Sequence, residues 1–124
     1  MIEHLKIFQP NTLAFVLSGH VTKDDYDSVL IPAVEAALKG KGKLRLHFEI
    51  DPDFSGIDPG AVWEDIKLGM EHLSRWERIA VVTNVEWVRH AIQAFRFLMP
   101  GQVKIFPLDQ AVQAREWIAA KNDR

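Results

Sequence analysis

Residues 44–66, LRLHFEIDPDFSGIDPGAVWEDI, indicate the fold class because a strand pattern leads through a short polar loop into a helical pattern. Residues 44–50 alternate apolar and polar side chains, which is typical of a β-strand. Asp58 stands where a helix N-cap is expected, and Pro59 takes the first helical position. The apolar residues that follow at helical spacing are Val62, Trp63, Ile66, Met70 and Leu73. The stretch therefore predicts a strand, a loop and a helix.

The N-terminal side of this stretch predicts a hairpin and a helix. Residues 2–8 and 12–18 are strand-like and are separated by a Gln-Pro-Asn turn at residues 9–11. A helix then begins at residues 22–25, where a threonine and an aspartate are spaced as a capping box. Pro32 should kink or divide this helix, because proline lacks the backbone donor that the helix interior requires.

The C-terminal side repeats the alternation of strand and helix. Residues 79–83 and 103–106 are predicted strands. Asn84 is predicted to cap the helix between them, and Asp109 is predicted to cap a last helix. The order is ββαβαβαβα, which predicts a single α/β domain over residues 1–124 with a five-stranded mixed sheet and one antiparallel edge strand.

This order also predicts which sheet face the helices cover. If the parallel strands are in sequential order, right-handed crossovers place their helices on one side of the sheet. The other face should then remain largely uncovered, and it would carry the polar row Arg45, His47 and Glu49.

Composition excludes several classes of function. The formal net charge of -2 and the mixture of both signs along the chain argue against nucleic-acid binding. The absence of cysteine excludes disulfides and thiol chemistry. No signal-peptide pattern and no apolar run of about 20 residues is present, so a cytoplasmic protein without a transmembrane segment is expected.

The polar loop and its flanking elements resemble a known family. The order of elements, with DFSG at residues 53–56 after the third strand, resembles the STAS domain of anti-sigma-factor antagonists. The chain more closely resembles the SpoIIAA-like branch, which is described as STAS or CRAL-TRIO-like. The stretches that carry this resemblance are FSGIDPGAVWEDIKLGMEHL at residues 54–73 and RIAVVTNVEW at residues 78–87.

The resemblance implies a non-enzymatic regulatory or protein-interaction module that binds a protein partner or a second copy of itself as a homodimer. In the antagonists, a serine or threonine of a D-S-[ST]-G turn is phosphorylated by a partner kinase, which releases the anti-sigma factor. Asp53, Ser55 and Gly56 match that turn and Phe54 does not, which makes Ser55 the phosphoacceptor candidate.

The loop itself allows other interpretations. A calcium loop of the EF-hand type fits Asp51, Asp53 and Ser55, but Val62 stands where the bidentate glutamate is required. Local hydrogen bonds from the aspartates to the backbone explain the same residues more simply. The five histidines are not spaced as a metal site, and no nucleophile motif is present. We therefore predict no catalytic residue, no metal and no cofactor.

Aromatic residues form the other candidate site. Trp87 and Phe97 lie off the main apolar stripe of their helix, with Arg89 and Arg96 close in sequence. The candidate ligand or partner surface comprises Phe54, Ile57, Trp63, Trp87 and Phe97. The resembling CRAL-TRIO-like fold holds a lipid beneath a movable helix, so the alternative function is a carrier or sensor of a small apolar ligand. Contact with a membrane surface, packing in the core and a dimer contact are the other interpretations.

Overall fold

The computed structural model of the protein describes residues 1–6 and 9–121. Its seven strands in chain order are β1 Ile2–Leu5, β2 Thr12–Leu17, β3 His20–Val21, β4 Leu44–Ile50, β5 Gly56–Ile57, β6 Trp76–Val82 and β7 Gln102–Phe106. Five of them form one sheet in the order β1-β2-β4-β6-β7, in which only the β1–β2 pair is antiparallel. This confirms the predicted α/β fold with a five-stranded mixed sheet.

Two short strands that the sequence did not predict join the loops at one edge of the structure. β3 and β5 pair in parallel, with His20 opposite Gly56 and Val21 opposite Ile57. This pairing holds the loop after β4 against the end of the first hairpin. The end of the first predicted strand, Ile7 and Phe8, lies outside the described residues.

The helices in chain order are α1 Lys23–Asp25, α2 Ile31–Leu38, α3 Pro59–Glu71, α4 Glu86–Phe95 and α5 Ala111–Ala119. The capping box at α1 is present, since Asp25 N–H donates to Thr22 Oγ1 at 3.1 Å and Thr22 N–H donates to Asp25 Oδ2 at 2.9 Å. A π-helical turn, Tyr26–Leu30, separates α1 from α2, and Pro32 follows it within the first turn of α2. Pro32 thus stands where the helix is divided, as predicted.

Two of the predicted helix caps are wrong. Asn84 does not cap α4; its Oδ1 accepts a hydrogen bond from Leu108 N–H at 3.1 Å, and the Val85 N–H donates to Thr83 Oγ1 at 2.9 Å instead. Asp109 lies inside a 3₁₀ turn before α5 and makes no side-chain cap. Short polar side chains form hydrogen bonds with whichever backbone group the fold brings near. For Asn84 that group is distant in sequence, and for Asp109 a 3₁₀ turn stands where the helix was predicted to begin.

The sheet face that carries the apolar rows is covered by the π-helical turn Tyr26–Leu30 and by α2, α3 and α4. Strand register places Leu13, Leu46, Ile79 and Val103 in one row across the sheet. Residues of the helical layer that pack against this core are Tyr26, Leu30, Val34, Ala61, Leu68, Val88 and Ile92.

The opposite face is not open, so the prediction that it would remain largely uncovered is wrong. Arg45 is 6% exposed and His47 is fully buried, because α5 packs across β4 and β6 on this side. Ala114 and Ile118 are the buried residues of α5. The crossover rule constrains only helices that lead into another parallel strand. Because α5 follows the last strand of the sheet, it is free to return over the other face.

Candidate functional site

The loop between β4 and β5 uses its aspartates to hold the backbone. Gly19 N–H donates to Asp53 Oδ1 at 3.0 Å, and Ser55 N–H donates to Gly19 O at 2.8 Å. The side chains of Asp51 and Asp53 share a hydrogen bond, which raises the pKa of Asp51. The hydrogen bond from Gly19 N–H lowers the pKa of Asp53. Asp53 and Gly19 therefore connect this loop to the end of the first hairpin.

Asp58 precedes α3, where the sequence predicts its N-cap, and its side chain also makes contacts between loops. Its Oδ1 lies 2.6 Å from His20 Nε2, and its Oδ2 accepts the Lys23 N–H at 3.1 Å. The hydrogen bond from His20 lowers the pKa of Asp58, with the Lys23 N–H acting in the same direction. Lys23 is the first residue of α1, so Asp58 stabilises the N-terminus of the first helix while its position still precedes α3.

Ser55 is exposed and precedes β5. The helix that follows begins at Pro59, as the sequence predicted, so Ser55 does not stand at a helix N-terminus. Phe54, which precedes it, and Ile57, two residues after it, line an apolar cavity beneath the helical layer. Within residues 1–6 and 9–121, no group of three or more His, Asp or Glu side chains is arranged to hold a metal ion.

Two apolar cavities lie between the sheet and the helices α3 and α4. The first has a volume of about 120 Å³ and the second about 150 Å³. The residues that line both are Phe48, Ile66, Val81, Ile92 and Phe95. Because they share this lining, the two cavities adjoin, and we refer to them together as the α3–α4 crevice.

The crevice exists because α4 is only partly packed. None of the α4 residues is buried, although Val88, Ile92 and Phe95 face the sheet. Both cavities open to the surface between the helices. An apolar cavity of about 150 Å³ accepts a ligand the size of benzene.

The predicted surface residues divide into two groups. Phe54, Ile57 and Trp87 meet at the second cavity, and the Phe54 and Trp87 ring centroids are 6.1 Å apart. Trp63, which is 65% exposed, and Phe97, which is 90% exposed, line neither cavity. Most of the residues that line the crevice were not predicted as site residues. Met70, Leu98 and Met99, for example, were identified from the sequence only as apolar residues of predicted helices. The signal that could have located the crevice is that two successive amphipathic helices cover the same sheet face.

The polar row beneath α5 forms a second concentration of ionisable groups. Arg45 Nη1 donates to Ile118 O at 2.8 Å, and Arg78 Nη1 donates to Trp117 O at 2.7 Å. These cations therefore meet the carbonyl groups at the C-terminal end of α5, where the helix dipole favours positive charge.

Glu49 connects the same row to the outer side of α5. It accepts two hydrogen bonds from Arg115, at 2.7 and 3.0 Å, and lies 2.8 Å from His47 Nε2. Burial lowers the pKa of His47. Burial opposes ionisation of Glu49, but the hydrogen bonds from Arg115 and His47 outweigh it and lower the pKa of Glu49. These hydrogen bonds hold α5 against the sheet, so the polar residues beneath α5 have a structural role.

Comparison with known proteins places the chain in a family. The SpoIIAA-like family model matches residues 12–119. The comparison with curated proteins gives no match. An uncharacterized protein of the DUF3478 family from Shewanella loihica PV-4, whose crystal structure has a SpoIIAA-like fold, is 27% identical and has a TM-score of 0.73, with 94% of this chain and 93% of that chain covered. No helix in the described part of the chain is long and apolar enough to cross a membrane. The fold, the match over most of the sequence and the structural similarity together show that this chain belongs to the SpoIIAA-like family.

Proposed function

We propose that this chain is a non-enzymatic interaction module whose recognition site is the α3–α4 crevice. The family membership supports a regulatory or interaction domain. The observation that carries the choice of site is the pair of adjoining cavities, because they form an apolar space beneath helices with little buried surface of their own.

The polar groups of the loop before α3 and the histidine beneath α5 support a role in binding rather than in catalysis. His20 and Asp58 bond to each other and to the start of α1, and Asp53 is bonded to Gly19. His47 lies beneath α5 and is completely buried. Burial keeps His47 from reaching a substrate as a general acid or base, and the other three side chains are engaged in holding loops and the start of α1.

The geometry favours a small apolar ligand as the occupant. Ligand sites are concave and mostly apolar, and they carry a small number of polar groups. Each cavity is large enough for a benzene-sized group. Ile92 is one of the residues that line both cavities. A carrier or sensor of such a ligand is therefore the function that the geometry supports best.

The test is binding of a neutral apolar fluorophore, N-phenyl-1-naphthylamine, to the purified protein. Ile92→Trp should reduce the affinity about tenfold, because the indole occupies space that both cavities share and the probe loses about two methylene-sized contacts. Val112→Trp is the matched control, because Val112 is 65% exposed on α5, on the other side of the sheet. Equal binding by wild type and both variants would reject the crevice as the site.

Self-association is a second candidate, favoured by the exposed aromatic residues around the crevice. Trp87 and Phe97 are 52% and 90% exposed, and large apolar groups in such positions often mark protein interfaces. Sedimentation equilibrium should show a dimer that is lost in the double variant Trp87→Ser, Phe97→Ser and kept in Val112→Ser. A monomer at all concentrations would reject this candidate.

Regulation at Ser55 remains a prediction within this second candidate. A phosphate on this exposed hydroxyl would add negative charge beside Asp51 and Asp53, next to the residues that line the second cavity. Ser55→Asp should therefore associate more weakly than wild type, and Ser55→Ala should not. Equal association of the three proteins would reject the switch.

A further inference from the structure

Arg96 is the one charged residue among the described residues that line the α3–α4 crevice. It lies in the 3₁₀ turn Arg96–Leu98 that follows α4, and it lines the first cavity together with its neighbours Leu98 and Met99. The second cavity is lined by no charged residue within the described chain. The positive charge of the crevice therefore lies at the first cavity, and the second cavity is apolar.

The charge of Arg96 is not used by the fold. Within residues 1–6 and 9–121, its side chain makes no hydrogen bond and no ion pair, whereas Arg45, Arg75, Arg78 and Arg115 each donate to a carbonyl or a carboxylate. Its side chain is exposed at the rim of the cavity. An arginine that lines an apolar cavity without an internal partner is complementary to a carboxylate or a phosphate.

We infer that the crevice selects a single-chain amphiphile with an anionic head group, whose head meets Arg96 and whose chain lies in the two cavities. This inference rests on the proposed function and specifies the class of ligand. An aliphatic chain matches the apolar lining, and a head group with negative charge matches Arg96, the single cation that lines the first cavity.

The volumes limit the length of the chain. Each cavity, at about 120 and 150 Å³, is comparable to one that holds benzene, so the two together accommodate about a dozen carbons. This is enough for one medium-length chain and too little for the two long chains of a phospholipid. Laurate is thus a suitable probe, and dodecanol is the probe that matches its chain without the charge.

The experiment measures displacement of N-phenyl-1-naphthylamine by laurate and by dodecanol. In Arg96→Gln, the affinity for laurate should fall about three- to tenfold, the range expected for loss of a charge-assisted hydrogen bond at a partly exposed site, while the affinity for dodecanol stays within about twofold. Arg96→Lys keeps the charge and should retain most of the affinity for laurate. Arg89→Gln is the matched control, because Arg89 lies on α4, directly before the turn that carries Arg96, and lines neither cavity.

The outcomes separate this inference from the proposed function. If the fluorophore does not bind wild type, the proposed function itself fails. If the fluorophore binds but Arg96→Gln weakens laurate and dodecanol equally, or weakens laurate no more than Arg89→Gln does, the anionic head group is rejected while the apolar site stands. Vesicles containing phosphatidylglycerol form the last arm of the experiment. If Arg96→Gln reduces binding to vesicles without reducing binding to laurate, the cation contacts a membrane surface, and the inference of a single-chain ligand is overturned.

Discussion

Replacement of Arg45 by methionine should destabilise the protein by about 3 kcal/mol, because Arg45 is the buried cation that joins the sheet to the end of α5. The side chain makes three hydrogen bonds, one to Glu77 and two to the carbonyl groups of Ile118 and Ala120. Breaking a buried ion pair costs about 3 to 5 kcal/mol. We expect the lower end of that range, because methionine retains part of the packing and Glu77 is 23% exposed.

The assay is urea unfolding followed by tryptophan fluorescence, with the thermal midpoint as a second reading. A loss of about 3 kcal/mol should lower the midpoint by roughly 10 °C in a domain of this length. Arg115→Met is the matched control, since the Arg115 side chain is 43% exposed and its ion pair should contribute about 1 kcal/mol or less. If Arg45→Met costs less than about 1 kcal/mol, the buried polar layer does not hold α5 and our description of that face is incorrect.

Further predictions concern one close backbone contact and the buried histidine. Gly101→Ala should lower the free energy of unfolding by about 2 kcal/mol or more, because a Cβ at this position would clash with the carbonyl oxygen of Trp76. Gly40→Ala is the control and should be nearly neutral, because the atom nearest to its Cβ would be 3.5 Å away. Urea unfolding of both variants measures the difference. His47 is buried with a lowered pKa, so the unfolded chain takes up its proton first and stability should decrease as the pH falls below about 6.5. His47→Gln should reduce the slope of the unfolding free energy between pH 7 and pH 5, and an unchanged slope would show that this residue is not the group responsible.

The five strands of the main sheet were predictable because hydrophobic periodicity is a local property. Residues 44–50 alternate, and the two flanking helices are long enough to require parallel crossovers, so the central sheet follows from the sequence. The position of α5 was not predictable in this way. The alternation of Arg45 and His47 with apolar residues is the same whether the polar side faces water or faces a helix that brings carbonyl groups to it.

The site was predictable only in part. Trp87 could be marked as a candidate because it lies off the apolar stripe of its helix, and Phe54 because the chain has more bulky aromatic residues than a small one-sided core needs. The crevice itself depends on how closely α4 packs against the sheet, and the hydrophobic pattern of the α4 sequence does not predict how close that packing is. The partner of Asp58 was missed for a similar reason, because His20 lies 38 residues away in sequence.

The most direct test of the central claim, that the crevice beneath α3 and α4 is the binding site, is a titration of methyl-labelled protein with laurate followed by NMR. We predict that the methyl signals of Ile66, Val81 and Ile92, which line both cavities, shift with saturation while that of Ile118, on the buried side of α5, does not. Signals that stay in place up to the solubility limit of laurate, or an equal shift of Ile118, would contradict the account.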